Sequence, residues 1–243
     1  MDSFIIYGIH PVIEAIKAGK NIEKIYLQKG MRHEKLTELR KLIKRHKIPS
    51  QDVPETRLRL YAKNHQGIVA LTTPIPLVDL ENFIPQLFEN GILPFVLILD
   101  RIQDVKNFGA ICRSAFCFGV NLVVVPRKNS VAITPDAIKS SAGALNKLPI
   151  AKVNSMTQAI QYLKSSGFTI YAITEKGNID LDNRLKPGFP CALILGNEHE
   201  GIHRELLKLS DYKIKIPMKG DFDSLNVSAA AAIALYEFSK NFT

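Results

Sequence analysis

The chain alternates short apolar runs with segments whose apolar residues recur every three or four positions, and the alternation changes character along its length. In the first third the pattern predicts strands at Phe4–Tyr7, Ile22–Leu27, Ile48–Val53 and Gly67–Leu71. Between them it predicts helices at Pro11–Ala18, at His33–His46 (amphipathic and basic) and from Pro54 through Ala62. Pro near a helix start and Gly19 just past its end are ordinary boundary signals. Residues 1–73 therefore read as a small α/β domain, close to the lower size at which one core supports itself. Four prolines (Pro74, Pro76, Pro85 and Pro94), with a weakly helical Val78–Phe88 among them, mark 74–93 as a linker.

From Phe95 the strands lose their polar alternation. Phe95–Leu99, Leu122–Val125 and Ala192–Leu195 are wholly apolar, and Thr169–Ile173 is nearly so. Helical segments fall between them at Asn107–Phe118, Pro135–Ala144, Met156–Ser165 and Ile202–Leu209. Apolar strands separated by helices predict a parallel sheet covered on both faces over residues 94–243. Ligands bind such sheets at the carboxyl ends of the strands, so the loops after Leu99, Val125, Ile173, Leu195 and Ile216 are the ones to inspect.

The last strand–loop–helix stands apart. After Lys213–Lys215 and Pro217, a glycine and two aspartates lead through Ser224, Leu225 and Asn226 into a helix without a charge from Val227 to Tyr236. Such a helix has no wet face, so its own domain or a second subunit is expected to bury most of it. Ser224, Asn226 and Ser228 cluster at its start; one residue suffices as N-cap, and the surplus points to a site.

Composition bounds the function classes. The 46% hydrophobic and 23% charged content is that of a globular protein, and no apolar run is long enough for a membrane span. The start of the chain lacks a signal-peptide pattern. Cys112, Cys117 and Cys191 have neither metal nor CxxC spacing and are expected as buried, reduced thiols of a cytoplasmic protein. The net charge of +9 is uneven: residues 1–75 hold 14 Lys+Arg against 7 Asp+Glu, and residues 76–243 hold 18 against 16. A basic module beside a near-neutral one suggests a nucleic-acid grip attached to a catalytic unit, although a solvated Lys-rich helix would give the same count.

Three loops carry candidate chemistry. In Asp100–Gly119, Asn107 is placed to cap the helix, and Arg113 is its one charge among apolar neighbours. It is expected to be buried, either in a structural ion pair or as a fixed cation facing a phosphate or oxyanion. In Leu195–Gly201, glycines at 196 and 201 allow close backbone approach, and Glu198 sits near a helix N-terminus. His199-Glu200-Gly201-Ile202-His203 matches the H-E-x-x-H zinc signature. It directly follows a strand with a glycine in its middle, so the two histidines are not expected to share a helical face, and no metal site is expected. No P-loop, G-x-G-x-x-G or G-x-S-x-G is present.

Asn107–Ala115 (NFGAICRSA), Leu195–Gly201 (LGNEHEG) and Ile216–Met218 with Ser224–Ser228 resemble, in order and spacing, the three motifs of the SpoU (TrmH-like) branch of the SPOUT RNA methyltransferases. Tyr7–Val12 (YGIHPV) with His65–Ile68 (HQGI) resembles the ribosomal-protein-L30e-like RNA-binding domain of larger members. The resemblance implies an α/β-knot domain, its last segment tucked into a trefoil knot, behind an L30e-like domain. It implies S-adenosylmethionine bound around Thr174, Leu195, Gly196, Gly201, Ile216, Met218 and Leu225. Asn107, Arg113, Glu198, Ser224 and Asn226 would form the catalytic set, in a homodimer with shared active sites. The implied reaction is methyl transfer to a ribose 2′-oxygen, most closely of a guanosine in large-subunit rRNA. Departures at Asn197–His199 and Leu145–Lys147 bear on the substrate, and a tRNA 2′-O-methyltransferase is the alternative target reading. A non-catalytic RNA-binding protein and a zinc hydrolase are the alternatives from other classes.

Overall fold

The computed structural model describes residues 5–73, 75–182, 187–221 and 224–240. Phe4 of the first expected strand, Pro74 of the expected linker and Asp223 of the final loop lie outside the described residues. The chain divides into two compact units, residues 1–76 with 132–135, and 77–131 with 136–243.

The first unit runs β1 (Ile5–Tyr7), α1 (Ile9–Lys17), β2 (Ile22–Gln28), α2 (Leu36–Arg45), β3 (Ser50–Val53), α3 (Glu55–Arg59) and β4 (Ile68–Thr72). Its sheet has the order β1-β4-β2-β3, with β2 and β3 parallel and the other pairs antiparallel. One face packs α1 through Ile9, Val12, Ile13 and Ile16, and α2 through Leu39 and Ile43, which is the helical 3–4 spacing read from the sequence. The other face is smaller, with Leu58 of α3 against Tyr26, Val53 and Val69.

The second unit continues with β5 (Leu77–Val78), α4 (Leu80–Glu89), β6 (Phe95–Leu99), α5 (Val105–Cys117), β7 (Leu122–Pro126), α6 (Pro135–Ser140), β8 (Ile150–Val153), α7 (Met156–Ser165), β9 (Thr169–Ile173), β10 (Ile179–Asp180), β11 (Cys191–Leu195), α8 (Arg204–Leu209), β12 (Tyr212–Lys215) and α9 (Val227–Ser239). Its sheet is ordered β10-β12-β9-β11-β6-β7-β8-β5, and every recorded pairing is parallel. The central strands β6 and β11 are buried throughout, which is why they carry no polar residue. The stretch expected as a linker is partly built into this unit. Leu77–Val78 pairs with β8, and Leu80, Ile84 and Leu87 of α4 join the core. Pro85 sits inside α4 without ending it. Strands β5, β8 and β10 escape the hydrophobic pattern because they are two to four residues long.

Two helices differ from expectation. Helix α5 buries Phe108, Gly109, Ile111, Cys112 and Ala115, but Arg113, Phe116 and Cys117 are exposed. Helix α9 buries Val227, Ala231, Ala234, Leu235 and Phe238, stacking Phe238 on Phe95, while Ile233 and Tyr236 face outward. Both helices are apolar nearly all round, yet one chain covers only half of each. Among the described residues no helix is long and apolar enough to cross a membrane.

Candidate active site

Three loops at the carboxyl ends of adjacent strands enclose a cleft of about 290 Å³: the turn after β9, the 196–203 loop after β11, and the segment from Ile216 into α9. This is where an open parallel sheet offers a binding site, because loops there splay apart and leave a crevice. Thr174, Leu195, Gly196, Gly201, Ile216, Met218 and Leu225 all line it, together with Glu198 and Ser224 of the expected catalytic set.

The loop after β11 is tight. A Cβ at Gly196 would lie 2.2 Å from the Gly201 carbonyl carbon and from the Ile202 nitrogen, so only glycine fits. Gly201 takes φ 66°, which lets the loop reverse onto itself with the Gly201 N–H donating to the Asn197 carbonyl at 2.9 Å. The zinc signature falls in this turn. Helix α8 begins only at Arg204, and His203 precedes it as N-cap, so His199 and His203 lie on no common helix. Among the described residues no three or more His, Cys, Asp or Glu side chains are grouped so as to hold a metal ion.

Side chains from three distant segments meet beside the cleft. Asn107 Nδ2 donates to Glu198 Oε1 at 2.6 Å, and Asn226 Nδ2 donates to Asn107 Oδ1 at 3.2 Å. Asn226 Oδ1 accepts from the Ser228 N–H at 2.9 Å and from the Ser228 hydroxyl at 2.6 Å. The surplus of polar residues at the start of α9 is thus resolved. Asn226 caps the helix, Ser228 orients the cap, and Ser224 is left to line the cleft. Asn107 was expected as the cap of α5, but Asp104 holds that place, accepting from the Asn107 N–H at 2.7 Å. The Asn107 side chain is freed to reach across to Glu198.

Arg113 is not brought to this cluster. It lies on the exposed face of α5, does not line the cleft, and has no side-chain partner among the described residues. The structural ion pair open to it from the sequence is not formed among the described residues. Cys112 and Cys191 are buried as expected, and burial pushes both thiols well above the ordinary range, so they stay protonated and inert.

Asp100 and Arg101, behind the loop that walls the site, were not singled out from the sequence, and Asn197, which lines the cleft, was noted only as a departure from the second motif. Asp100 is buried at the end of β6, and its carboxylate accepts from the His203 N–H at 2.8 Å. Burial works against the charge of Arg101, but the carboxylates of Asp100 and Glu200 more than offset it and hold the guanidinium above its usual pKa. The signal was available, since a charged pair directly follows a wholly apolar strand.

The site defines a class: an open parallel α/β protein with a cleft of mixed apolar and polar lining over the carboxyl edge, rimmed by amides and a carboxylate. Comparison with known proteins narrows it. The pattern of the SpoU rRNA Methylase family matches residues 94–236, and that of RNA 2′-O ribose methyltransferase substrate binding matches residues 5–78. A Staphylococcus aureus protein, named for the TrmH family of tRNA/rRNA methyltransferases, is 37% identical over 238 residues, covering 98% of this chain and 96% of its own. The chain belongs to the SpoU family of RNA 2′-O-methyltransferases. Two solved structures share the fold. The SpoU methyltransferase AviRb of Streptomyces viridochromogenes, in complex with AdoMet, matches at TM-score 0.62 and 23% identity, covering 98% of this chain and 90% of its own. An AdoMet-bound rRNA methyltransferase of Sinorhizobium meliloti matches at 0.59 and 22%, covering 98% and 87%.

Proposed function

We propose that this chain methylates a ribose 2′-oxygen of a guanosine in large-subunit rRNA with S-adenosylmethionine, working as a cytoplasmic homodimer. The observation that carries this reading is the hydrogen-bonded chain Glu198–Asn107–Asn226, assembled from three distant segments beside the cleft.

The cleft suits the cofactor. Leu195, Ile216, Met218, Leu225 and Val227 make an apolar slot, and Met218 and Leu225 remain 39% and 40% exposed, a surface for a flat heterocycle to cover. S-adenosylmethionine supplies an already activated sulfonium methyl. The residues of the chain therefore mainly orient the ribose and compensate the charge that develops on its 2′-oxygen. Asn107 is fixed at both ends of its amide, by Glu198 and Asn226, so its geometry is set before RNA arrives. A guanidinium is a fixed planar cation, which suits Arg113 to stabilise the alkoxide and grip a neighbouring phosphate rather than act as a base. Replacing Arg113 with Lys should then retain substantial turnover; complete loss would favour a role beyond charge.

Arg113 reaches the chemistry in this reading from the second subunit. The support is its place on α5, which packs on α9 and whose exposed face carries Phe116; Ile233 and Tyr236 of α9 are exposed as well, and the Phe118 ring lies 5.8 Å from that of Tyr236. Threading of the last segment as a trefoil knot belongs to the same proposal. Strand β12 lies beyond β9, yet α9 returns to pack on α5, which is what a threaded last segment requires. Stretching the chain from both ends would leave a knotted chain short of its full contour length. Residues 1–73 would grip the RNA and 94–243 would carry out the transfer.

The test is transfer of labelled methyl from S-adenosylmethionine to unmodified large-subunit rRNA and, separately, to tRNA, mapped by resistance to alkaline cleavage. One protected guanosine ribose in the rRNA is expected. Label in tRNA alone would overturn the target, and absence of cofactor binding would overturn the reading itself.

A further inference from the structure

The turn from β6 into α5 carries an ion cluster with no part in the reaction outlined above. The guanidinium of Arg101 donates to both oxygens of the buried Asp100 carboxylate, at 3.2 and 3.3 Å. It also donates to the Gly201 carbonyl at 3.2 Å and is ion-paired with Glu200. The backbone closes the ring from the other side. Asn197 Nδ2 donates to the Arg101 carbonyl at 3.1 Å, while Asn197 Oδ1 accepts from the N–H groups of His199 and Glu200 at 2.8 and 3.3 Å. Asp100 in turn takes the His203 N–H. Both ends of the 196–203 loop are thereby tied to the end of β6.

Arg101 adopts φ 58°, a conformation that glycine and asparagine take easily and arginine does not. Such a residue persists where its surroundings over-determine it, and such positions concentrate at functional sites. A planar fork is also what this place needs, because it must reach a carboxylate and a carbonyl together, which the point charge of lysine cannot do. The loop it holds contains two glycines and a single bond from its middle, Glu198 to Asn107. Its ends have no other side-chain anchor among the described residues.

We propose that Arg101 is a positioning residue, clamping the 196–203 loop with Asp100 so that the wall of the cleft is shaped for S-adenosylmethionine before the cofactor arrives. The inference rests on the cofactor assignment made above, and its test separates the two. Arg101→Gly removes the fork while suiting the backbone; Arg101→Lys keeps the charge without the fork, and Arg101→Asn is a second backbone-compatible replacement should the glycine variant not fold. Amide hydrogen exchange of residues 199–203 in the ligand-free chain reads the clamp directly. Cofactor titration and steady-state methyl transfer read its consequence.

In Arg101→Gly, exchange at residues 199–203 and the KM for S-adenosylmethionine should each rise about tenfold, as for one lost charge-assisted hydrogen bond. The kcat should stay within about twofold, since the Asn107–Glu198 bond does not pass through Arg101, and the Lys variant should fall between. Wild-type exchange in both Arg101→Gly and Arg101→Asn would overturn the clamp. So would a fall in kcat at unchanged KM, which would place Arg101 in the chemistry instead. If the parent chain binds no S-adenosylmethionine while the exchange difference persists, the clamp stands and the cofactor assignment falls.

Discussion

Helices α2 and α9 each bury one face and leave the other uncovered, and the two uncovered faces could hardly differ more. On α2 the buried stripe is Leu39 and Ile43, and the outer face holds Arg40, Lys41, Lys44 and Arg45. Water satisfies that face in the isolated chain, and phosphate can replace water there at the gain of released counterions. On α9 the outer face holds Ala229, Ile233 and Tyr236, the last two 40% and 51% exposed, and Phe116 of α5, the helix it packs against, is 42% exposed. Water does not satisfy that face, and exposed large apolar side chains on one helix face are what a partner surface would cover. Equal geometry thus gives opposite demands, which the proposed function would meet with RNA on one helix and a second copy of the chain on the other.

The largest effect should come from placing charge on the α9 face. Ile233→Asp with Tyr236→Asp is expected to weaken self-association by at least about a hundredfold, because each carboxylate would be buried unpaired. Sedimentation would show a monomer with little turnover; a variant that remained dimeric and active would remove the second copy from the argument. Lys44→Asp, the matched change on α2, should leave assembly untouched.

An intermediate effect is expected from α2 and the turn just after it. Lys41, Lys44, Arg45 and Lys47 are exposed and without an acidic partner among the described residues. Replacing all four with Gln should weaken RNA binding and make it less salt-sensitive, by roughly 0.7–0.9 in the log–log slope for each phosphate that is no longer neutralised. Cofactor affinity should not change. An unaltered salt slope would return these residues to the role of a solvated face.

The smallest effect concerns an ion pair between α1 and α2. A hydrogen bond from Lys17 holds the Glu38 carboxyl below the usual carboxylate range. Its folded pKa is lowered, so its contribution is complete above the ordinary glutamate pKa and is lost as pH falls through the folded value. Glu38→Gln should make the decline of stability with acid shallower below about pH 4, with no change at neutral pH beyond the small contribution of that one exposed pair. Denaturant midpoints measured across that interval would show it.

The N-terminal strands and helices, the apolar runs of β6, β7, β9 and β11, and the polar cluster ahead of α9 were all legible in the chain. Each depends on a local period or a local cap. Short strands such as β8 were not, because four residues carry too little pattern. The assignment of Asn107 as a cap failed for an instructive reason: Asp104, three residues earlier, competes for the same job, and only packing decides between them.

By itself the sequence determined a basic α/β module, a parallel-sheet unit behind it, and the segments from which a site could be built, since burial and backbone geometry impose periods and residue types that need no partner to be read. Only the tertiary structure decided that Asn107, Glu198 and Asn226 touch, that Asp100 and Arg101 tie down the loop between them, and that Arg113 faces outward. Those facts depend on strand order, and strand order places residues 91 and 119 positions apart within hydrogen-bonding distance, a separation over which no local pattern carries information.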